Sequence, residues 1–194
     1  MTRRKYELKR RAEKQAETRQ RIVEAIVGLH QEIGPAGTTV SAIAERAGVE
    51  RLTVYRHFPG EAEQIAACSA HWVARHPRPD LAAWAAIADP GARLAAGLDE
   101  LYAFYERAEP MWGNILHDAP LVPALQPSAA GITAFIAAAG DALAPGWPER
   151  PLVRLALGHA VQFETWRSLT RVQGLSQSEA VALMLRLVAS AAAA

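Results

Sequence analysis

The sequence contains one cysteine, Cys68, and only three lysines, Lys5, Lys9 and Lys14, all within its first 14 residues. A single thiol rules out an intramolecular disulfide and a zinc site built on several thiolates, and it fits a reducing compartment. No segment alternates apolar and polar residues over strand length, so nothing in the periodicity supports a β architecture. Long hydrophobic runs are missing too. Residues 119–140 carry no charge, but Pro120, Pro123 and Pro127 interrupt them and Ala, Gly and Ser dilute them, which argues against a membrane span. The basic opening MTRRKYELKRR is not followed by the apolar stretch of a secretory signal. A cytoplasmic protein without a membrane partner is therefore expected.

What is present is the composition of a folded chain, 51% hydrophobic and 21% charged. The formal net charge of +1 conceals an asymmetry. Residues 1–60 hold 12 Lys and Arg against 7 Asp and Glu, a net of +5, whereas residues 61–194 hold 9 against 13, a net of −4. The front of the chain is suited to a polyanion, and Arg3, Arg4 and Lys5 begin a basic arm. Read without context, the same arm is a solvated charged tail.

Apolar residues recur at i, i+3, i+4 and i+7 throughout, which predicts an all-α protein. A first helix is expected from near Ala16 or earlier to Ile33, with Ile22, Ala25, Ile26, Leu29 and Ile33 on one stripe. Gly34, Pro35 and Gly37 stop it. Thr38 and Thr39 are N-cap residues for a short second helix that buries Val40, Ile43, Ala44 and Ala47. Gly48 permits a sharp turn into a third helix of about two turns, starting near Glu50 or Arg51 and interrupted by Pro59 and Gly60. Further helices are expected over residues 61–76, 90–107, 111–117, 128–143, 148–172 and 176–190, separated by segments rich in Pro or Gly.

Two short helices joined by a glycine turn behind a longer first helix form a helix-turn-helix, whose second member enters the major groove of DNA. Here that member is RLTVYRHF. Val54 and Phe58, with Val49 just before them, can face inward, leaving Arg51, Leu52, Thr53, Tyr55, Arg56 and His57 outward with no acid among them. Arg51 or Arg56 can fork onto guanine O6 and N7, Leu52 or the Thr53 methyl can touch a thymine methyl, and Tyr55 can donate to a phosphate. Ser41, early in the second helix, completes the candidate DNA-binding set.

The run TTVSAIAERAGVERLTVYRHFPGEAE resembles the DNA-binding motif of the TetR family of bacterial regulators, through Thr39, Val40, Ile43, Ala44, Ala47, Gly48, Val49, Val54, Tyr55, His57 and Phe58. The resemblance implies an N-terminal three-helix DNA-binding domain over residues 1–60 and a larger helical domain for ligand binding and dimerisation over residues 61–194. It implies phosphate contacts from Thr39, Tyr55 and His57, and base reading by residues 51–53. It also implies a homodimer formed through the last two helices, a palindromic double-stranded operator, and a small-molecule effector that releases a repressor. Two positions depart from the family pattern. Glu50 stands where a Ser or Thr cap is usual, and Glu61 stands where a phosphate-binding lysine is usual, which weakens the backbone grip there.

All five tryptophans lie beyond residue 71. Tyr102, Tyr105, Trp112, Leu116, Phe135, His159, Phe163 and Trp166 are the candidate effector pocket, an apolar lining with a few polar tips. Each of them, taken singly, also reads as ordinary core. No cofactor, catalytic residue or metal is expected. Two competing readings remain: a small-molecule-modifying helical enzyme using Cys68 and His71, and a metal-responsive regulator using His71, His76, His117 or His159.

Overall fold

The computed structural model describes residues 3–194, with side chains described from Tyr6 onward. Every regular element among them is helical: α1 (Arg3–Ile33), α2 (Val40–Ala47), α3 (Arg51–His57), α4 (Glu61–Arg75), α5 (Leu81–Ala85), α6 (Pro90–Asp118), α7 (Gln126–Leu143), α8 (Pro151–Ala160), α9 (Phe163–Arg167) and α10 (Gln177–Ala193). A 3-10 turn (Pro123–Leu125) precedes α7, and a π turn (Ser168–Val172) follows α9. The expected all-α class is the one observed.

The chain gathers into two compact units, one made of the residues up to Pro77 with Pro110–Ala129, the other of Arg78–Glu109 with Ala130–Ala194. These packing units divide the chain differently from the motif boundary at residues 60 and 61, because α4 packs on α1. In the first unit Ile22, Val23, Ile26 and Leu29 of α1 are buried with Ile43 and Ala47 of α2, Val54 of α3, Phe58, and Ile65 and Trp72 of α4. Polar clasps add to this core. Asn114 Nδ2 donates to the carbonyls of His30 and Gln31 at the end of α1, and the buried Asp118 carboxylate accepts from the Ala36 N–H at 2.8 Å. Carbonyls at a helix C-terminus have no intrahelical donor, so Asn114 supplies one.

Three expectations need correction. The break expected between residues 107 and 111 is absent, since α6 runs through Pro110. Proline inside a helix costs about 3 kcal/mol, but Ala108, Met111 and Trp112 around it are buried, and that burial outweighs the propensity. The single helix expected over residues 148–172 is instead three pieces. Gln162 is extended, with φ −68° and ψ 137°, and it ends α8 and caps α9. Tyr102 Oη donates to the Ala160 carbonyl at 2.8 Å and Tyr105 Oη to the Val161 carbonyl at 2.6 Å, satisfying acceptors that the break releases. Third, α5, capped by the Asp80 carboxylate on the Ala82 N–H, was not expected from a five-residue segment inside Pro-rich sequence.

Candidate functional site

Local chemistry fixes the two short helices. The Thr39 hydroxyl accepts from the Ala42 N–H at 3.1 Å, making Thr39 rather than Thr38 the cap of α2. Gly48 closes α2 in the left-handed region, φ 63° and ψ 45°, and the N–H groups of Gly48 and Val49 return to the Glu45 and Ala44 carbonyls. That closure suits a residue without Cβ and sets the turn into α3. Glu50 caps α3 without a side-chain hydrogen bond.

Cations inside the motif are largely committed. Arg46 makes a two-pronged ion pair with Glu32, at 2.9 and 2.6 Å, tying α2 to α1. Arg21 donates to the Ala47 carbonyl at the end of α2, and the Arg19 guanidinium lies 4.8 Å from the centre of the Phe58 ring. These three arginines have a positioning role that sequence reasoning missed. The i,i+4 spacing of charges is visible along one helix, but pairing between helices has no signature in sequence.

With Val54 wholly buried, α3 turns Arg51, Leu52, Tyr55 and Arg56 to solvent, Leu52 to 74%. Thr53 and His57 are half-buried, and Thr39 and Ser41 on α2 are exposed. His57 is held below the ordinary histidine range by desolvation first and then by the charges of Arg56 and Arg19. A neutral imidazole there can still donate one N–H to a phosphate oxygen. Arg3, Arg4 and Lys5 have side chains outside the described residues. Glu61 opens α4, exposed, with Glu63 in the same turn.

The eight candidate effector residues fall in both units. Trp112 and Leu116 belong to the first unit, and the other six to the second. Tyr105 meets Phe163 edge-on at 5.4 Å and Trp166 at 5.9 Å, with Tyr102 at 6.2 Å, all four buried. Their hydroxyls are engaged at the α8 break, and burial pushes both phenols well above the ordinary range. Phe135 packs edge-on against Phe104, and His159 is exposed, its Nδ1 3.2 Å from the Thr165 hydroxyl. None of the eight lines a groove of about 690 Å³ between α7 and α8, which includes Ile136, Trp147, Val153 and Leu157.

Cys68 is buried, and desolvation pushes its thiol up to about 12, so thiolate nucleophilicity is suppressed. His71 Nδ1 faces Arg75 at 3.0 Å, while His76 stacks on Trp72 at 4.4 Å. Among the described residues no three His, Cys, Asp or Glu side chains are grouped as metal ligands, and no helix is long and apolar enough to cross a membrane.

Residues 22–67 match the family model of bacterial regulatory proteins, tetR family. The chain carries the segment that this model describes, 46 of its 194 residues. Its fold is also that of solved family structures. A TetR-like transcriptional regulator from Rhodococcus sp. RHA1 superposes with a TM-score of 0.63 at 16% identity, covering 91% of this chain and 96% of that one. A tetR-family regulator from Streptomyces coelicolor gives 0.61 at 20% identity, covering 92% and 83%. FadR from Bacillus subtilis, solved in complex with stearoyl-CoA, gives 0.58 at 17% identity, covering 89% and 98%. No curated protein matches the sequence.

Proposed function

We propose that the protein is a regulator of the TetR family, a homodimeric repressor that binds a palindromic operator through α3 and is released by a small apolar or aromatic effector. The observation that carries the reading is the outer face of α3: Arg51, Leu52, Tyr55 and Arg56 stand exposed on a helix anchored by Val54. Arg51 and Leu52 read base edges. Thr39, Ser41, Tyr55 and His57 hold phosphates, and the arm from Arg3 adds sequence-independent attraction.

Dimerisation is supported by aliphatic side chains left in solvent on the helices near the C-terminus. Leu152 and Leu155 on α8 are 54% and 70% exposed, and Leu183 and Leu187 on α10 are also exposed. Exposed leucines at one-turn spacing on two adjacent helices require an apolar partner, and a second copy supplies the same stripe by twofold symmetry. Release by an effector follows if the effector favours a dimer whose two recognition helices no longer match the groove spacing. FadR of the same fold carries stearoyl-CoA, so the fold can accommodate an apolar chain.

The experiment is to recover bound genomic DNA by footprinting and measure affinity against salt. Deleting residues 1–14 is expected to make the slope of log K on log salt shallower by about 0.9 for each phosphate that the arm neutralises. An unchanged slope removes the arm from the interface.

A further inference from the structure

We propose that Glu50, the residue just ahead of α3, is a specificity determinant that reads a cytosine in each half-site by accepting from its N4 amino group, close to the guanine that Arg51 takes. The inference rests on the reading of α3 as the helix that enters the groove, and it names a base that this reading leaves open.

Glu50 is the N-cap of α3, with φ −78° and ψ 150°. A cap residue ordinarily turns a side-chain oxygen back onto the first free backbone N–H groups of its helix, as Thr39 does for α2. The Glu50 carboxylate does not. It makes no hydrogen bond to α3, it is exposed, and it forms no ion pair among the described residues. The guanidiniums held at the end of α2 are committed elsewhere, Arg46 to Glu32 through two nitrogens and Arg21 to the Ala47 carbonyl. Within the helix-turn-helix the carboxylate therefore has neither a backbone donor nor a counter-ion.

Its backbone, by contrast, is fixed. The Glu50 carbonyl accepts from the Thr53 N–H at 2.8 Å and the Val54 N–H at 3.3 Å, and the Val49 N–H just before it returns to the Ala44 carbonyl at 2.9 Å. The side chain thus leaves from a set point immediately before Arg51, at the end of a recognition helix that meets base edges.

On a face that binds a polyanion, an unneutralised carboxylate weakens binding to every sequence unless the groove offers it a donor. The major-groove edges of guanine and thymine present only acceptors to it, N7 and O6 or O4, and repel it. Adenine offers N6 but sets the N7 acceptor beside it, whereas cytosine offers N4 with no acceptor on its own edge. Cytosine is the base that remains. Guanine carries the N7 and O6 pair that a guanidinium forks, so Glu50 and Arg51, consecutive in the chain, suit a cytosine and a guanine close together in the half-site. The acid contributes mainly by excluding other bases.

The test incubates the full chain with a randomised duplex library and sequences the bound fraction, for the parent, Glu50→Gln, Glu50→Ser and Arg51→Ala. The parent is expected to select a half-site with a preferred cytosine near a preferred guanine. Glu50→Gln should move the cytosine preference to adenine, because an amide pairs with N6 and N7 together. Glu50→Ser, which supplies the missing cap and removes the charge, should melt higher, bind all sequences more tightly and select no base at that position. Arg51→Ala should lose the guanine preference and keep the cytosine. On the selected duplex, replacing that C·G pair by T·A should weaken the parent about tenfold and Glu50→Ser hardly at all. A cytosine preference that persists in both Glu50 variants, or variants that change affinity without changing any base preference, overturns the proposal and leaves Glu50 as a source of phosphate repulsion alone. A parent that selects no sequence overturns the reading of α3 itself, and this inference with it.

Discussion

The α3 face of the first unit and the α8 and α10 faces of the second differ in the chemistry they present. The first uses Arg46, Arg21, Asn114 and Asp118 to hold its own helices and presents a cationic helix face with one leucine. The second packs its tyrosines, phenylalanines and Trp166 inward and leaves leucines exposed on α8 and α10. A face of guanidinium, phenol and hydroxyl groups gains most from a hydrated polyanion, and its affinity falls with salt. An aliphatic face gains from an apolar surface and is far less sensitive to salt. Under the proposed function, recognition of DNA falls to the first unit and self-association to the second.

The strongest way to break that assignment is Leu155→Glu. A carboxylate left unpaired in an apolar interface costs about 3–5 kcal/mol, so the protein should sediment as a monomer at concentrations where the parent is a dimer, and operator affinity should fall with it. An unaltered dimer would remove the exposed face of α8 from the interface.

Acid should weaken the first unit selectively. His30 is buried, and desolvation, partly opposed by Asp118, lowers it from 6.5 to about 4. The unfolded chain therefore binds the proton first, and stability is present above pH 6.5 and lost as pH falls towards 4, by about 3 kcal/mol. Urea midpoints across this window measure it, and His30→Gln should flatten the profile. A parent profile already flat in that range would mean that His30 protonates without penalty.

Arg51→Ala is expected to cost about 1–3 kcal/mol at one base pair and to relax specificity there, whereas Tyr55→Phe should weaken all sequences alike. Uniform loss in the arginine variant would reassign Arg51 to the phosphate backbone. The smallest effect separates two roles of one residue. Thr39→Ala should cost about 1 kcal/mol of stability through the missing cap, while Thr39→Asp keeps the cap and repels phosphate. Thermal melts and operator titrations of the pair give the split, and equal affinity in Thr39→Asp would leave Thr39 as a cap alone.

The helix-turn-helix was legible in the sequence because its determinants are local: a threonine cap, a glycine turn and apolar residues at helical spacing lie within about twenty residues. The second unit was less so. Pro110 looked like a boundary, yet burial on both sides of it carries α6 through. The break at Gln162 has no proline or glycine of its own, and it is accommodated by phenols from residues 102 and 105, nearly sixty positions away. The tyrosine tips that suggested ligand contacts are those hydroxyls.

The most direct test of the account is the stoichiometry and spacing of the protein on its own footprinted DNA. Two protomers are predicted per site, on half-sites whose centres lie one helical turn (~34–36 Å) or a multiple apart, with each α3 in a major groove. One protomer bound to a site without an internal repeat would contradict it.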